Sequence, residues 1–265
     1  MTLAFIGAGK MATAIASGLV DHKVFASDAI LATDVYEPAR EAFSARTGAT
    51  CSCDNAAVVA QADAIVLSVK PQVAAQVLAP LKGSFADKLF ISIAAGLSID
   101  SLAAWTGAGR IIRVMPNTPA MVATGASVFS CAPAVTETDR ELARRIFGAI
   151  GIVHEMPEPK LDAVTGLSGS GPAYVFEFIQ ALVDGGVAAG LDAESAHELV
   201  VQTVAGAAEM LRQGMGTPDE LRTAVTSPGG TTAAGLSVMA DANFRDIMSQ
   251  VVARATARSI ELGQA

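Results

Sequence analysis

The alternation of hydrophobic and polar positions changes character once along this chain, near residue 160. Before that point, short apolar runs are separated by stretches whose apolar residues recur at helical spacing. The runs predict strands over Leu3–Ile6, Ile30–Thr33, 64–69, 89–93, 110–115, 126–130 and Gly151–Glu155. The intervening stretches predict helices over 10–20, 38–47, 55–61, 72–81, 98–105 and 137–149. Strands alternating with helices imply a mostly parallel sheet with helices on both faces. Beyond residue 160 the strand pattern stops, and 161–167, 171–190, 193–214, 217–226, 231–240 and 243–263 all read as helix. The boundary falls in Pro157-Glu158-Pro159, giving an α/β domain over 1–158 and an all-α domain over 159–265.

The first strand runs into Ile6-Gly7-Ala8-Gly9-Lys10-Met11-Ala12, a Gly-x-Gly-x-x-Ala spacing between a strand and a helix. In that context Gly7 permits a tight turn, Gly9 lets a pyrophosphate approach the backbone, and Ala12 is small enough for close helix–strand packing. The free N–H groups and dipole of the following helix favour an anion. The N-terminal half is therefore predicted to be a Rossmann-type domain that binds NADPH or NADH, with residues 6–11 around the diphosphate.

Ligands of such sheets lie at the carboxyl ends of the strands. The second strand ends at Thr33-Asp34, where a carboxylate can bridge ribose hydroxyls and would repel a 2′-phosphate. On that rule Asp34 favours NADH; the plainer alternative is that it solvates a turn. Later strands end in Ser68-Val69-Lys70-Pro71, in Ala94-Ala95-Gly96 and in Met115-Pro116-Asn117-Thr118-Pro119. These small residues and prolines are expected to form a wall for a flat ring, with Lys70 near a cofactor phosphate or ribose. Pro116 and Pro119 are expected to stiffen a turn that ends the sheet.

Composition narrows the partners. Of 265 residues, 51% are hydrophobic and 17% charged, and the mean hydropathy is +0.44. Yet no apolar run reaches the ~20 residues a spanning helix needs, so the excess is assigned to burial between subunits. A net charge of −8 without a Lys/Arg cluster argues against nucleic acid. Cys51, Cys53 and Cys131 offer neither a disulfide framework nor a zinc site. With the first strand occupying the N-terminus, the expected location is cytoplasmic.

In the helical half, Ser227-Pro228-Gly229-Gly230-Thr231-Thr232 precedes an apolar helical stretch. The reading from residue types alone is a helix cap; the same N–H groups can also hold an anion, with the Thr231 and Thr232 hydroxyls beside it. Gly166-Leu167-Ser168-Gly169-Ser170-Gly171-Pro172-Ala173-Tyr174 is a second small-residue hinge, with Pro172 suited to a first helical turn. The helix after it carries apolar residues on most sides, which suggests intertwining with a second copy.

Together these stretches resemble the pyrroline-5-carboxylate reductase family over essentially the whole chain. They include Phe5 to Met11, Val69-Lys70-Pro71, Ala94-Ala95-Gly96, 115–119, 167–174 and 225–232. The resemblance implies reduction of the cyclic imine 1-pyrroline-5-carboxylate to L-proline by NADPH or NADH, in a homodimer at least and up to a decamer. It implies that amides around Ser227, Gly229, Gly230 and Thr231 hold the substrate carboxylate while Thr232 bonds the ring nitrogen as the catalytic hydroxyl. It also implies that Asn55, Ser68, Val69, Lys70, Pro71, Ala94 and Ala95 line the cofactor groove, and that Glu158 lies near the site. Many members carry serine-rich or Asn-Arg sequences where this chain has Thr33-Asp34, which leaves the choice of cofactor open. Some members have Asn where Ala224 stands, so any contact from that side chain is missing.

The proposed chemistry suits these residues, because an imine basic enough to bind protonated needs no strong acid, only a hydroxyl near nitrogen and correct placement. The alternatives are a β-hydroxyacid dehydrogenase, for which Lys160 is the only second-domain lysine, and a non-catalytic nucleotide-sensing module.

Overall fold

The computed structural model describes residues 1–263. Eight strands form one sheet: β1 Leu3–Ile6, β2 Ile30–Thr33, β3 Thr50–Ser52, β4 Ala64–Leu67, β5 Leu89–Ser92, β6 Ile111–Met115, β7 Gly125–Cys131 and β8 Gly151–Glu155. The helices among them are α1 Lys10–Asp21, α2 Glu37–Thr47, α3 Asn55–Gln61, α4 Pro71–Leu78, α5 Ile99–Thr106 and α6 Glu137–Gly148. A short α7, Leu161–Val164, leads into a single π-helical turn over Thr165–Gly169. Then come α8 Gly171–Ala188, α9 Ala193–Arg212, α10 Pro218–Ala224, α11 Thr231–Asp241 and α12 Phe244–Gly263.

The sheet order is β3-β2-β1-β4-β5-β6-β7-β8. The first six strands are parallel, in register Ile6↔Thr33, Ile6↔Leu67 and Leu67↔Ser92. Strand order reverses between β1 and β4, which is the switch point where such sheets open a ligand crevice. Right-handed crossovers run in opposite directions from that point, so they deliver helices to opposite faces. Accordingly α1 packs with α2 and α6, while α4 packs with α5. Aromatic side chains fasten the layers to the sheet: Phe43 of α2 meets Phe5 of β1 at 6.0 Å between ring centroids, and Phe85, in the turn before β5, meets Phe90 of β5 edge-on at 5.1 Å. All four rings are fully buried.

Three features differ from the sequence expectation. The strand β3 was not predicted; at three residues, Thr-Cys-Ser, it is too short and too polar to show a period. Pro116 and Pro119 do not end the sheet. They flank the entry to a 3-10 turn, Thr118–Val122, that reverses the chain, so that β7 pairs antiparallel with β6 and β8 follows parallel to β7. Gly151 makes the last pairing possible: its φ is +148°, and an added Cβ there would collide with the Gly125 backbone. Finally, 161–167 is not one helix but α7 followed by the π-turn.

Two compact units emerge among the described residues, Met1–Ser170 with 253–263, and Gly171–Val252. Within the first, Ser259 of α12 donates to Asp162 at 2.7 Å. The second is built on α8 against α9. Two of its helices, α9 and α10, carry side-chain caps: Asp192 accepts from Ser195 N at 2.9 Å, and Thr217 with Glu220 forms a reciprocal capping box. It nevertheless buries little, with Val183 and Ala196 inside while Phe176 is 65% exposed and Phe178, Leu182 and Val187 about 40%. Apolar exposure on this scale along one helix marks an interaction surface.

Candidate active site

At the end of β1 the chain turns at Gly7, whose φ of +98° is left-handed. A Cβ at Gly7 would sit 3.0 Å from the Ser68 backbone and from Val69 Cγ1, so glycine is required by conformation and by space. The turn is tied to both neighbouring strands: Gly7 N donates to Thr33 O at 2.8 Å, and Ser68 Oγ donates to Gly7 O at 2.6 Å. Gly9 is different. Its φ of −71° suits any residue, and nothing lies within 4 Å of its would-be Cβ. It N-caps α1 without a side-chain bond, and no acidic residue occupies the first turn. The first amides of α1 thus face open space with their positive dipole end unneutralised, as a diphosphate requires. Ala12 is buried under the loop, while Lys10 is exposed and Met11 half-buried.

The other expected cofactor residues occupy the carboxyl ends of adjacent parallel strands. Ile6 ends β1, Asp34 follows β2, Ser68, Val69, Lys70 and Pro71 follow β4, and Ala94 and Ala95 follow β5. The unpredicted β3 adds Asn55, the first residue of α3, to the same edge. Ala94 is buried and Ala95 half-buried, leaving no side chain large enough to block a planar ring. Lys70 is exposed at the N-cap of α4, where Pro71 occupies the first turn.

Asp34 has work inside the fold. Its Oδ2 accepts from Ala8 N and its Oδ1 from Tyr36 N, both at 2.9 Å. The carboxylate therefore clamps the glycine loop to the end of β2, and only its remaining lone pairs are left to meet a ribose.

Glu158 also faces inward. Its Oε1 accepts from Ile99 N at 2.8 Å and from Arg113 Nη1 at 3.1 Å, and Arg113, 7% exposed, lies 3.6 Å from Asp162 as well. Glu158 thus belongs to an ion network that holds the start of α5, shortly after the carboxyl end of β5. A buried guanidinium needs such partners, since an unpaired charge would be far costlier.

Sequence reasoning missed Asn117. Its Oδ1 accepts from Ala126 N at 2.8 Å, and its Nδ2 donates to Ser168 O at 3.1 Å. Its signals in the sequence are its place between two prolines and inside the 115–119 stretch that carries the resemblance.

In the second unit, Ser227-Pro228-Gly229-Gly230 makes a turn closed by Gly230 N donating to Ser227 O at 3.0 Å. Gly229 has φ +70°, and Gly230 is the N-cap of α11, with no side-chain cap and no acidic residue in the first turn. A Cβ at Gly230 would strike Ser227 Oγ. Ser227, Gly229 and Thr231 are exposed, and Thr232 is half-buried on the first turn. The expected substrate residues are thus gathered at one uncapped helix start, again suited to an anion. Among the described residues, no group of three or more His, Cys, Asp and Glu could hold a metal ion.

Comparison with known proteins supplies the family. Residues 158–262 match the family model described as pyrroline-5-carboxylate reductase dimerisation, and residues 2–96 match NADP oxidoreductase coenzyme F420-dependent. The chain is 46% identical over 262 residues to a pyrroline-5-carboxylate reductase of Pisum sativum, covering 98% of this chain and 96% of that protein. It is 44% identical over 268 residues to the reductase of Methanosarcina acetivorans, covering 99% and 98%. Among solved structures, a Coxiella burnetii pyrroline-5-carboxylate reductase superposes with TM-score 0.93 at 34% identity, covering 100% of this chain and 99% of that one. The Plasmodium falciparum pyrroline carboxylate reductase, solved with NADP bound, gives 0.90 at 33% identity, covering 99% and 98%. With 46% identity over nearly the whole length of both proteins, the chain belongs to the pyrroline-5-carboxylate reductase family.

Proposed function

We propose that this protein reduces 1-pyrroline-5-carboxylate to L-proline with NADPH or NADH, the last step of proline synthesis. The observation that carries the reading is the pair of uncapped helix starts. One, at Gly9–Lys10 on the switch point of the sheet, suits a diphosphate; the other, at Gly230–Thr231, suits a small carboxylate and has a threonine hydroxyl one residue on. NAD(P)H, when bound, supplies the hydride that adds to the imine carbon C5. Residues 6–11 hold the diphosphate, Asp34 and Asn55 take the adenosine side, and Ser68 to Pro71 with Ala94 and Ala95 line the rest of the groove. Amides around Ser227, Gly229, Gly230 and Thr231 fix the carboxylate, and Thr232 Oγ1 accepts from the N–H of the protonated imine. No strong acid is needed, because the imine arrives with the proton that its nitrogen keeps in the product.

The domain division follows the same reading: 1–158 binds the nucleotide, and 159–265 dimerises and binds the substrate. The exposed Phe176, Phe178, Leu182 and Val187 supply an apolar face for a second copy. A homodimer is the minimum assembly, and light scattering separates it from a decamer. No helix among the described residues is long and apolar enough to cross a membrane, and the cytoplasm is the proposed location.

Kinetics of Thr232→Ala test the mechanism. Losing a buried partner costs about 1–3 kcal/mol, or roughly 5- to 150-fold in kcat/KM for the imine, with Thr232→Ser retaining most activity. Wild-type kinetics in Thr232→Ala would remove the residue from the mechanism.

A further inference from the structure

Asn117 sits where two main-chain groups of opposite kind converge. Ala126 N–H can only donate and Ser168 C=O can only accept, at 2.8 and 3.1 Å from the same side-chain amide. That pair fixes the amide orientation and requires a side chain with one acceptor and one donor. Aspartate would set an oxygen against the Ser168 carbonyl, and an aliphatic residue would leave both groups unpaired.

Ser168 lies inside the π-turn, where the regular helical ladder is broken. Ser170 N bonds Thr165 O at 2.8 Å, Thr165 Oγ1 reaches Leu161 O, and Ser168 Oγ reaches Val164 O. The turn is packed against the end of β6: Val164 and Leu161 cluster with Met115 and Val128, and a Cβ on Gly169 would strike Met115 Cε. Single π-turns inside helices are uncommon and concentrate at functional sites. A dinucleotide with its diphosphate at β1 and its adenosine toward β2 directs its other half past β5 toward β6. The π-turn therefore stands at the reacting end of the groove, and Asn117 tethers it to the end of β6 through the Ser168 carbonyl.

We propose that Asn117 is a positioning residue for hydride transfer, holding the Ser168 carbonyl and the π-turn at the carboxyl end of β6 so that the reacting ring and the imine meet in register. This rests on the reductase reading. Asn117 touches neither reactant; it acts through the wall it fixes. The loss should appear in turnover of the imine and not in cofactor affinity, because the glycine loop and Asp34 lie on the far side of the switch point.

The test compares Asn117→Asp, which keeps the Ala126 bond and loses the Ser168 bond, with Asn117→Ala, which loses both. Imine-dependent NADPH oxidation and the NADPH dissociation constant are measured on each. Expected is a fall of about tenfold or more in kcat/KM for the imine in both variants, with NADPH affinity within about twofold of the unaltered protein. Unchanged kinetics, a parallel loss of NADPH binding, or failure of both variants to fold would overturn the proposal, the last by making the residue purely structural. If the unaltered protein itself fails to turn over the imine, the reductase reading fails instead.

Discussion

Gly7 and Gly9 lie two residues apart in one loop, yet the structure gives them opposite sensitivities. At Gly7 an alanine would have to hold φ near +98°, a left-handed conformation that costs about 1–2 kcal/mol. Its methyl would also press to 3.0 Å from the Ser68 carbonyl carbon and oxygen and from Val69 Cγ1. The Ser68 atoms are backbone just past β4, tied by Ser68 N to Ile6 O at 2.9 Å, and cannot swing away, so overpacking adds about 1–3 kcal/mol. The sum, about 2–5 kcal/mol, corresponds to a fall in Tm of about 4–20 °C for a chain of this size. At Gly9 the backbone is ordinary and the would-be Cβ meets nothing. Gly9→Ala should melt within about 0.5 kcal/mol of the unaltered protein, yet weaken NADPH by about tenfold or more, because its methyl occupies the volume meant for the diphosphate. Thermal melts without cofactor and fluorescence titration with NADPH measure both quantities. Full NADPH affinity in Gly9→Ala would refute the assignment of this loop to the diphosphate, and an unshifted Tm in Gly7→Ala would refute the packing argument.

Asp139 gives a pH-dependent prediction. Burial pushes its carboxyl pKa upward, but hydrogen bonds from Thr136 N and Oγ1 and the Arg110 guanidinium outweigh that and leave it below the usual value. A lowered folded-state pKa stabilises above the ordinary aspartate range and is lost as pH falls through it. Asp139→Asn should therefore cost about 1–3 kcal/mol at neutral pH, with the gap in urea midpoints closing below about pH 4; a pH-independent gap would contradict it. Burial first, and then nearby Asp34 for Cys51 and Glu155 for Cys131, raises both thiols to about 11. A thiol-specific chromogenic reagent near neutral pH should react fast with exposed Cys53 and slowly with the other two, and three equal fast phases would count against this. Asp34→Ser removes the acceptor for the Ala8 and Tyr36 amides as well as a charge. KM should rise for both cofactors, but less for NADPH, so the NADPH/NADH ratio of kcat/KM increases; a fixed ratio would show that Asp34 does not discriminate.

The glycine loop was legible because its three small residues have separate steric duties that few other residue types can fill, and because a strand and a helix flank it. Strands β1, β4 and β5 declared themselves through near-continuous apolar runs, as strands buried on both faces do. Direction was not legible: β7 has the same kind of run as its neighbours, and only the 3-10 turn after Asn117 reverses it. Polar ties were also hidden. Asp34 read as a ribose ligand because its position fits that rule, whereas its bonds to Ala8 and Tyr36 depend on a loop conformation that the pattern does not encode. Glu158, Arg113 and Asn117 are far apart in sequence from Ile99, Asp162 and Ser168, and their pairing appears only once the sheet brings them together. The cap at Gly230 was visible as a cap, while its use for a carboxylate came from the resemblance and not from spacing.

The most direct measurement follows nicotinamide absorbance when the purified protein is mixed with NADPH or NADH and 1-pyrroline-5-carboxylate, with a β-hydroxyacid and the oxidised cofactor run alongside. The account predicts imine-dependent oxidation that yields L-proline, and no reduction of cofactor by the hydroxyacid. Absence of imine turnover by folded, cofactor-binding protein, or turnover of the hydroxyacid in its place, would contradict it.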